Sequence, residues 1–356
     1  MEQKNEKGVS AWLSNKITRL MFWMSLLVVY IHVYDAQFKE PAFYAVNVLQ
    51  DIISQGFCRV AVPVFFMISG YLHFTRKELS EKTLLYAFRR KVSTLIVPYF
   101  LWNVFYLLYQ ICLRFMLGTA SSTVNVSFVL KGIFLYGCIG AFWYVFQLIL
   151  LNALSPLLLK LFFKKTVAIA FVGVVFIMYL LIDKNTKLFL LTGILFFSIG
   201  AIAAIHFTTA IDCSCWTPKK KSIVSAIAVV SLVTMMVWRF LLMDLSVNIS
   251  ILRSTVPYRI FEFLAAIAFW YAVDIVRIGE QKAKWFERDS FFVFASHGFV
   301  LSVANVIIKH VMPMTPFSRT IVYLLLPLIT VMCILAISSL LKKMVPNFYK
   351  LISGGR

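Results

Sequence analysis

The apolar residues of this chain fall into long blocks, and short polar stretches separate each block from the next. A helix that crosses a ~30 Å hydrocarbon core needs about 20 mostly apolar residues, because it rises 1.5 Å per residue. The pattern therefore predicts an all-α fold, a polytopic membrane bundle of about ten transmembrane helices. The predicted spans are residues 18–36, 52–74, 92–114, 141–162, 166–182, 188–207, 222–243, 254–276, 289–309 and 319–341.

The longest predicted loop, 115–140, joins a polar stretch at 121–127 to an apolar run at 128–140. That run is too short for a spanning helix, so we expect it to be re-entrant or interfacial. The sequence shows no internal repeat and no soluble region. It predicts a single membrane-embedded domain over residues 1–356.

The composition agrees with a membrane protein. Only 14% of the residues are charged and 61% are apolar, whereas an average soluble domain has about 25% charged residues. So few charges cannot cover a water-facing surface. A soluble enzyme, a disordered chain and a collagen-like fibre are therefore excluded.

The net charge of +20 has two possible explanations: a nucleic-acid partner, or the excess of Lys and Arg in cytoplasmic loops. When Lys and Arg are assigned to alternate sides of the ten spans, 24 fall on the side of the termini and nine on the other. The other two, Arg59 and Arg239, lie inside spans and are assigned to neither side. The asymmetry follows the positive-inside rule, so both termini are predicted to be cytoplasmic and no nucleic-acid partner is expected.

Cysteine spacing and sequence motifs exclude several classes of enzyme. Cys213 and Cys215 form a pair without a second pair, so no zinc site or other metal is expected. The phosphate-binding loop, the H-E-x-x-H motif and the G-x-S-x-G motif are all missing. An ATPase, a zinc protease and a serine hydrolase are disfavoured.

Five ionisable residues fall at membrane depth, where each costs about 2.5–3.5 kcal/mol on insertion scales. Such residues are candidates for a functional site because a purely structural role rarely justifies that cost. Four of them are predicted in the outer half of the membrane, and the fifth, His297, about two turns from the inner side. The five are His32, Arg59, Arg239, Glu262 and His297.

His32 and Asp35 lie three residues apart and hence on one helix face. A carboxylate at that spacing can orient an imidazole and raise its basicity, which makes His32 a candidate general base. Alternatively, Asp35 merely ends the helix in water and His32 is an interfacial histidine.

Arg259 and Glu262 have the same spacing, which also fits a structural ion pair. Arg59 and Arg239 add positive charge that one glutamate cannot balance, and this suits an anionic ligand or a developing oxyanion. His297 is either a candidate catalytic residue or a core histidine bonded to a neighbour.

The run Arg89-Arg90-Lys91 precedes the third predicted span on the cytoplasmic side. It is either a topology signal or a docking site for the phosphates of a cytosolic donor.

Several segments, in order along the chain, resemble acyltransferase family 3, the bacterial integral-membrane O-acyltransferases. The first predicted helix resembles the family's first helix because its apolar run ends in His32. The further segments are Val62–Leu72, Arg89–Trp102, Phe142–Leu157 and Ser290–His297. One departure is Met21, eleven residues before His32, where the family usually carries an arginine; the nearest arginine is Arg19.

The resemblance implies a multi-pass protein of the bacterial cytoplasmic membrane, in contact with membrane lipids. It implies an acyl-CoA donor, acetyl-CoA being the expected one, and a hydroxyl acceptor on an extracytoplasmic glycan or lipid-linked glycan. His32 would then accept the hydroxyl proton and arginine would stabilise the oxyanion. A carrier or flippase and a non-catalytic ligand-binding membrane domain remain alternatives.

Overall fold

The structure, a computed structural model, consists of packed helices, and no strand occurs in the ranges that it describes. These ranges are residues 9–35, 40–75, 78–116, 118, 124–135, 138–182, 188–245, 251–313 and 315–355, with the side chains of 188–189, 239–245 and 251–255 outside the description.

The first half of the chain contributes α1 to α8. α1 begins after Ser10, whose hydroxyl accepts a hydrogen bond from the Leu13 N–H and so caps the helix. The helices are α1 Ala11–Val33, α2 Tyr44–Gln50, α3 Ala61–Phe74, α4 Glu81–Lys91, α5 Val97–Met116, α6 Val126–Phe134, α7 Trp143–Ala153 and α8 Ser155–Phe162.

The second half contributes α9 to α16. The helices are α9 Lys165–Leu181, α10 Leu188–His206, α11 Thr208–Ile211, α12 Pro218–Leu245, α13 Ile251–Ala272, α14 Ser290–Val311, α15 Pro316–Met344 and α16 Pro346–Ser353. Short 3₁₀ turns precede or follow several of them, among them Phe286–Asp289 directly before α14.

Six helical segments are long and apolar enough to cross a membrane, which confirms a multi-pass architecture. They are Ala11–Val33, Pro41–Phe74, Glu81–Met116, Pro218–Trp238, Phe286–Val311 and Pro316–Met344. The pair formed by α7 and α8, bent by 65°, makes a seventh if it counts as one span.

The other three predicted spans, 166–182, 188–207 and 254–276, coincide with α9, α10 and α13. The described apolar parts of α9 and α10 are shorter than the other spans. The count of ten spans and the cytoplasmic position of both termini therefore stay predictions. The apolar run at 128–140 begins in α6, a nine-residue helix that packs on α5.

α1 lies at the centre of the bundle and packs against α3, α14 and α15. Among the described residues, the most extensive helix–helix contact is that of α3 with α10. Gly70 faces the Phe197 carbonyl and Gly200 faces the Met67 carbonyl so closely that a Cβ at either glycine would collide with the opposing backbone. Small residues allow this approach in membrane bundles, where dispersion contacts replace the hydrophobic effect between helices.

Candidate active site

His32 occupies the last turn of α1 and its side chain is exposed to a cavity of about 310 Å³. α1, α14 and α15 enclose this space, which we term the His32 cavity, and its lining includes Asp35, Lys309 and Arg319. The cavity lies at the end of the bundle where α1 ends, the side predicted to be extracytoplasmic. His32 is therefore open to a solute on that side.

His297, on α14, lies directly behind His32. The two ring centroids are 4.9 Å apart, and His297 is buried. Its Nδ1 lies 2.6 Å from the Phe294 carbonyl oxygen. A carbonyl oxygen only accepts, so Nδ1 carries the proton and Nε2 keeps a free lone pair in the neutral ring. The histidine pair brings α1 into contact with α14, although the two helices are far apart in the sequence.

Asp35 contacts Arg319 rather than His32. One Arg319 nitrogen, Nη2, donates to the Asp35 carboxylate at 2.9 Å and to its backbone carbonyl at 2.7 Å. The Asp35 N–H donates to Gln50 Oε1. The carboxylate therefore ties the end of α1 to α15, a partner that the i, i+3 spacing does not predict.

Arg59 lies in the 3₁₀ turn Phe57–Val60, just before α3. Its Nε donates to Gln55 Oε1 at 2.9 Å, and its positive charge is close enough to act on the His32 ring. The preceding turns, Asp51–Gly56, are π-helical. Such irregular turns are common at functional sites, and this one directly precedes the turn that carries Arg59.

Glu262 and Arg259 lie on α13 and contact the end of α9. Tyr179 donates its hydroxyl hydrogen to Glu262, and Arg259 donates to the backbone carbonyls of Tyr179 and Leu180. Arg259 is fully buried. This cluster satisfies the last carbonyls of α9 and has the character of a helix cap. Arg239 belongs to α12, but its side chain lies outside the described residues.

Two further cavities lie along α1 towards its first residue. The Arg288 cavity, about 600 Å³, is lined by Asn15, Met21, Arg288 and Ser290 among others. The Ser69 cavity, about 50 Å³, is also lined by Met21 and Ser290 and extends to Phe294.

The two cavities are adjacent, and the far end of the Ser69 cavity lies next to the histidine pair. They share Met21 and Ser290 in their walls. The Phe294 ring at the far end of the Ser69 cavity has its centroid 6.1 Å from that of His297. Two separate cavities therefore lie in a row between one end of the bundle and the histidine pair, and we term this row the passage; the His32 cavity opens on the other side.

The basic run Arg89-Arg90-Lys91 ends α4. Arg89 and Arg90 are exposed, and Lys91 donates to the buried Asn152 side chain. None of the three is in the described lining of the Arg288 cavity. Arg288, which is in that lining, has no distinguishing signal in the sequence, because one more cation beside a span is indistinguishable from a topology charge.

No group of three or more potential metal ligands occurs within the ranges that the structure describes. The loop containing Cys213 and Cys215 is held by Asp212, which accepts hydrogen bonds from the Ser10 hydroxyl and the Ser214 N–H. Cys213 is buried and Cys215 is exposed.

A family model described as an acyltransferase domain, of the acyltransferase 3 type, matches residues 22–341, nearly the whole chain. The chain belongs to the acyltransferase 3 family. This membership supports a membrane acyltransferase in general terms and confirms the resemblance seen in the sequence.

One curated relative is an amino-acid racemase from Enterococcus faecalis, 30% identical over 156 residues. That alignment covers 44% of this chain and 21% of the racemase, so the chain spans about a fifth of its length. No solved structure matched this acyltransferase 3 protein.

The departure from the family pattern at Met21 falls inside the passage, because Met21 lines both the Arg288 and the Ser69 cavity. Arg19 does not replace the missing arginine there. Its Nε donates to Glu287 at 3.0 Å and its Nη1 to the Ile278 carbonyl. The wall of the passage at this level is thus a thioether in this family member.

Proposed function

We propose that the protein is a membrane O-acyltransferase of the bacterial cytoplasmic membrane. It moves an acyl group, with acetyl as the expected one, from cytoplasmic acyl-CoA to a hydroxyl of an extracytoplasmic glycan or lipid-linked glycan. The observation that carries the proposal is His32, exposed at the floor of one cavity and separated by His297 and Phe294 from a passage to the other end of the bundle.

The chemistry assigns one role to each group. A neutral His32 imidazole takes the proton of the acceptor hydroxyl as its oxygen attacks the thioester carbonyl. The positive charge of Arg59 stabilises the oxyanion of the tetrahedral intermediate. Collapse of that intermediate breaks the carbon–sulfur bond, and the coenzyme A thiolate leaves with the proton that His32 held.

The donor is proposed to enter through the Arg288 cavity. Its phosphates would meet Arg288, an exposed cation in the cavity lining, while its thioester arm extends along α1. The Ser69 cavity, at about 50 Å³, has the volume of one or two water molecules. The arm therefore passes only when Met21 and Phe294 change rotamer.

Isotopically labelled acetyl-CoA offered to membranes tests the proposal. Transfer of the label to surface glycans should require His32 and should be abolished in His32→Ala at comparable protein levels. His310→Ala is the matched control, since His310 is an exposed histidine on the same helix as His297 and its Nδ1 contacts the Val306 carbonyl of that helix. Full label transfer by His32→Ala would remove the base from the mechanism.

A carrier for a glycan or small metabolite is the second candidate. Cavities at both ends of the bundle with a narrow centre also suit alternating access. The two functions differ in their product, because a carrier leaves its cargo unchanged. Surface glycans of cells with and without the protein should differ by the mass of an acyl group if it is an enzyme, and in amount alone if it is a carrier.

A further inference from the structure

Two of the few cations on the predicted outer side line the His32 cavity. The positive-inside rule leaves nine Lys and Arg on that side of the ten-span prediction. Lys309, in the last turn of α14, and Arg319, in the first turns of α15, both belong to the cavity lining. Topology disfavours cations here, so their presence together in one cavity needs another explanation.

The two cations differ in their partners. Arg319 is held by the Asp35 carboxylate at 2.9 Å and is mostly buried. Lys309 is exposed, and no carboxylate of a described residue lies within ion-pair distance of its Nζ. Asp35 neutralises Arg319, so the positive charge of Lys309 is not neutralised by the described residues of the cavity.

Lys309 lies near the carboxyl end of α14, where a cation complements the helix dipole, and this partly explains why a lysine occurs there. That effect is independent of the cavity and does not account for the other groups beside it. Asn305, Gln50 and Ser318 add amide and hydroxyl groups to the lining. Such groups exchange hydrogen bonds with the hydroxyls of a sugar or polyol.

We infer that the His32 cavity binds an acceptor whose reacting hydroxyl belongs to a sugar or polyol bearing an anionic group, a phosphate or a carboxylate, and that Lys309 binds this anion. The inference rests on the proposed function and specifies its acceptor. The neutral polar groups hold the sugar or polyol, Lys309 fixes its charged end, and the hydroxyl is presented to His32. The anion also neutralises the positive charge of Lys309, which a neutral glycan does not.

Protection of His32 from diethyl pyrocarbonate measures occupancy of the cavity without any acyl transfer. The reagent modifies accessible neutral imidazole, and His32 is exposed whereas His297 is buried. Two matched pairs of probes are compared on the purified protein in detergent: glycerol 3-phosphate with glycerol, and glucuronate with glucose. Modification of His32 is read by peptide mass spectrometry.

The anionic member of at least one pair should slow the modification of His32, and its neutral partner should not. The pair that responds identifies phosphate or carboxylate as the ligand group. Lys309→Gln should raise the half-protecting concentration about tenfold, the effect of losing one hydrogen bond to a charged group. Lys309→Arg should retain protection, and Lys131→Gln, an exposed lysine on α6, should behave like the unmodified chain.

Equal protection by charged and neutral probes, or anion protection that survives Lys309→Gln, would overturn the inference. Both results are separable from failure of the proposed function. If labelled acetyl reaches surface glycans but anions give no protection, the acyltransferase stands and this acceptor class is wrong. If anions protect His32 through Lys309 but no acetyl is transferred, the anion site stands and the catalytic proposal is wrong.

Discussion

Asp35 fixes the end of α1 to α15 through Arg319, and its substitution separates that role from catalysis. In Asp35→Asn the ion pair at 2.9 Å becomes a weaker hydrogen bond from the Arg319 cation to a neutral amide oxygen, while the bond from Arg319 to the Asp35 backbone carbonyl remains. We expect acceptor acylation to fall less than about tenfold, because His32 itself keeps its position. Acylation is measured in membranes that contain equal amounts of protein. A complete loss, like that expected of His32→Ala, would show that His32 needs the carboxylate directly.

Arg288 and the basic run at the end of α4 are two candidate sites for the donor phosphates, and substitutions at each should affect donor binding differently. Arg288→Gln should weaken acyl-CoA binding about tenfold and reduce its salt dependence, because a cation in the Arg288 cavity would be lost. The variant with Arg89, Arg90 and Lys91 all changed to Ala should bind within a few-fold of the unmodified protein. Binding to purified protein at two salt concentrations distinguishes them. The opposite ranking would place the donor phosphates at α4, as the sequence alone allows.

At the level of single residues, the sequence predicts positions along one helix but not contacts between helices. His32 follows Arg19 by thirteen residues on one continuous helix, so its depth can be calculated from the helical rise. The contact with His297 cannot be calculated, because it depends on how α1 packs against α14. The partners of Asp35 and Arg19 are missed for the same reason, since Arg319 and Glu287 are both remote in sequence.

At the level of helices, the contact of α3 with α10 depends on two glycines and can be tested at one of them. Gly200→Val should lower the free energy of unfolding by about 1–3 kcal/mol, the usual cost of overpacking, because the new side chain meets the Met67 carbonyl. Gly173→Val is the matched control, since a Cβ on this α9 glycine meets no atom within 4 Å. Thermal unfolding midpoints in detergent are compared. Equal midpoints would mean that α3 and α10 move apart easily.

Breaks within helices are only partly visible in the sequence. Residues 141–162 read as one apolar span, but α7 and α8 meet at a 65° bend where Pro156 follows Ser155. A proline restricts the residue before it and removes a backbone donor, so this break had a readable signal. The π-helical turns before Arg59 have none, because no proline or repeated glycine marks them.

At the level of the whole molecule, the orientation of the bundle can be read at one loop. Cys213 and Cys215 lie in the loop after α11, on the side predicted to be cytoplasmic. A membrane-impermeant maleimide should label Cys215 in inside-out vesicles and leave it unlabelled in intact cells. Cys213 is the internal control, because burial raises the pKa of its thiol to about 11 and the reactive thiolate is scarce at pH 7 to 8. Labelling of Cys215 in intact cells would invert the predicted topology.

The general architecture follows from composition, whereas the connection between the cavities does not. A chain with 14% charged residues and apolar blocks of spanning length has to form a membrane bundle. The passage past Met21 is formed by side chains from several helices, among them Ser69, Tyr144 and Phe294. Each of these is an ordinary residue of an apolar span in the sequence, and only packing gives them a common role.

The contact between the two histidines determines how the proposed reaction is coupled to the electrical state of the membrane. If His32 hands the hydroxyl proton to the departing thiolate, a proton travels inward for every acyl group that travels outward, and each compartment keeps its charge. The transfer is then electroneutral, although its two substrates occupy opposite sides. A membrane potential of 100 mV, worth about 2.3 kcal/mol for each charge moved, should leave the rate unchanged. Sealed vesicles clamped at different potentials with valinomycin and potassium gradients measure this, and a rate that follows the potential would mean that the proton leaves through the His32 cavity instead.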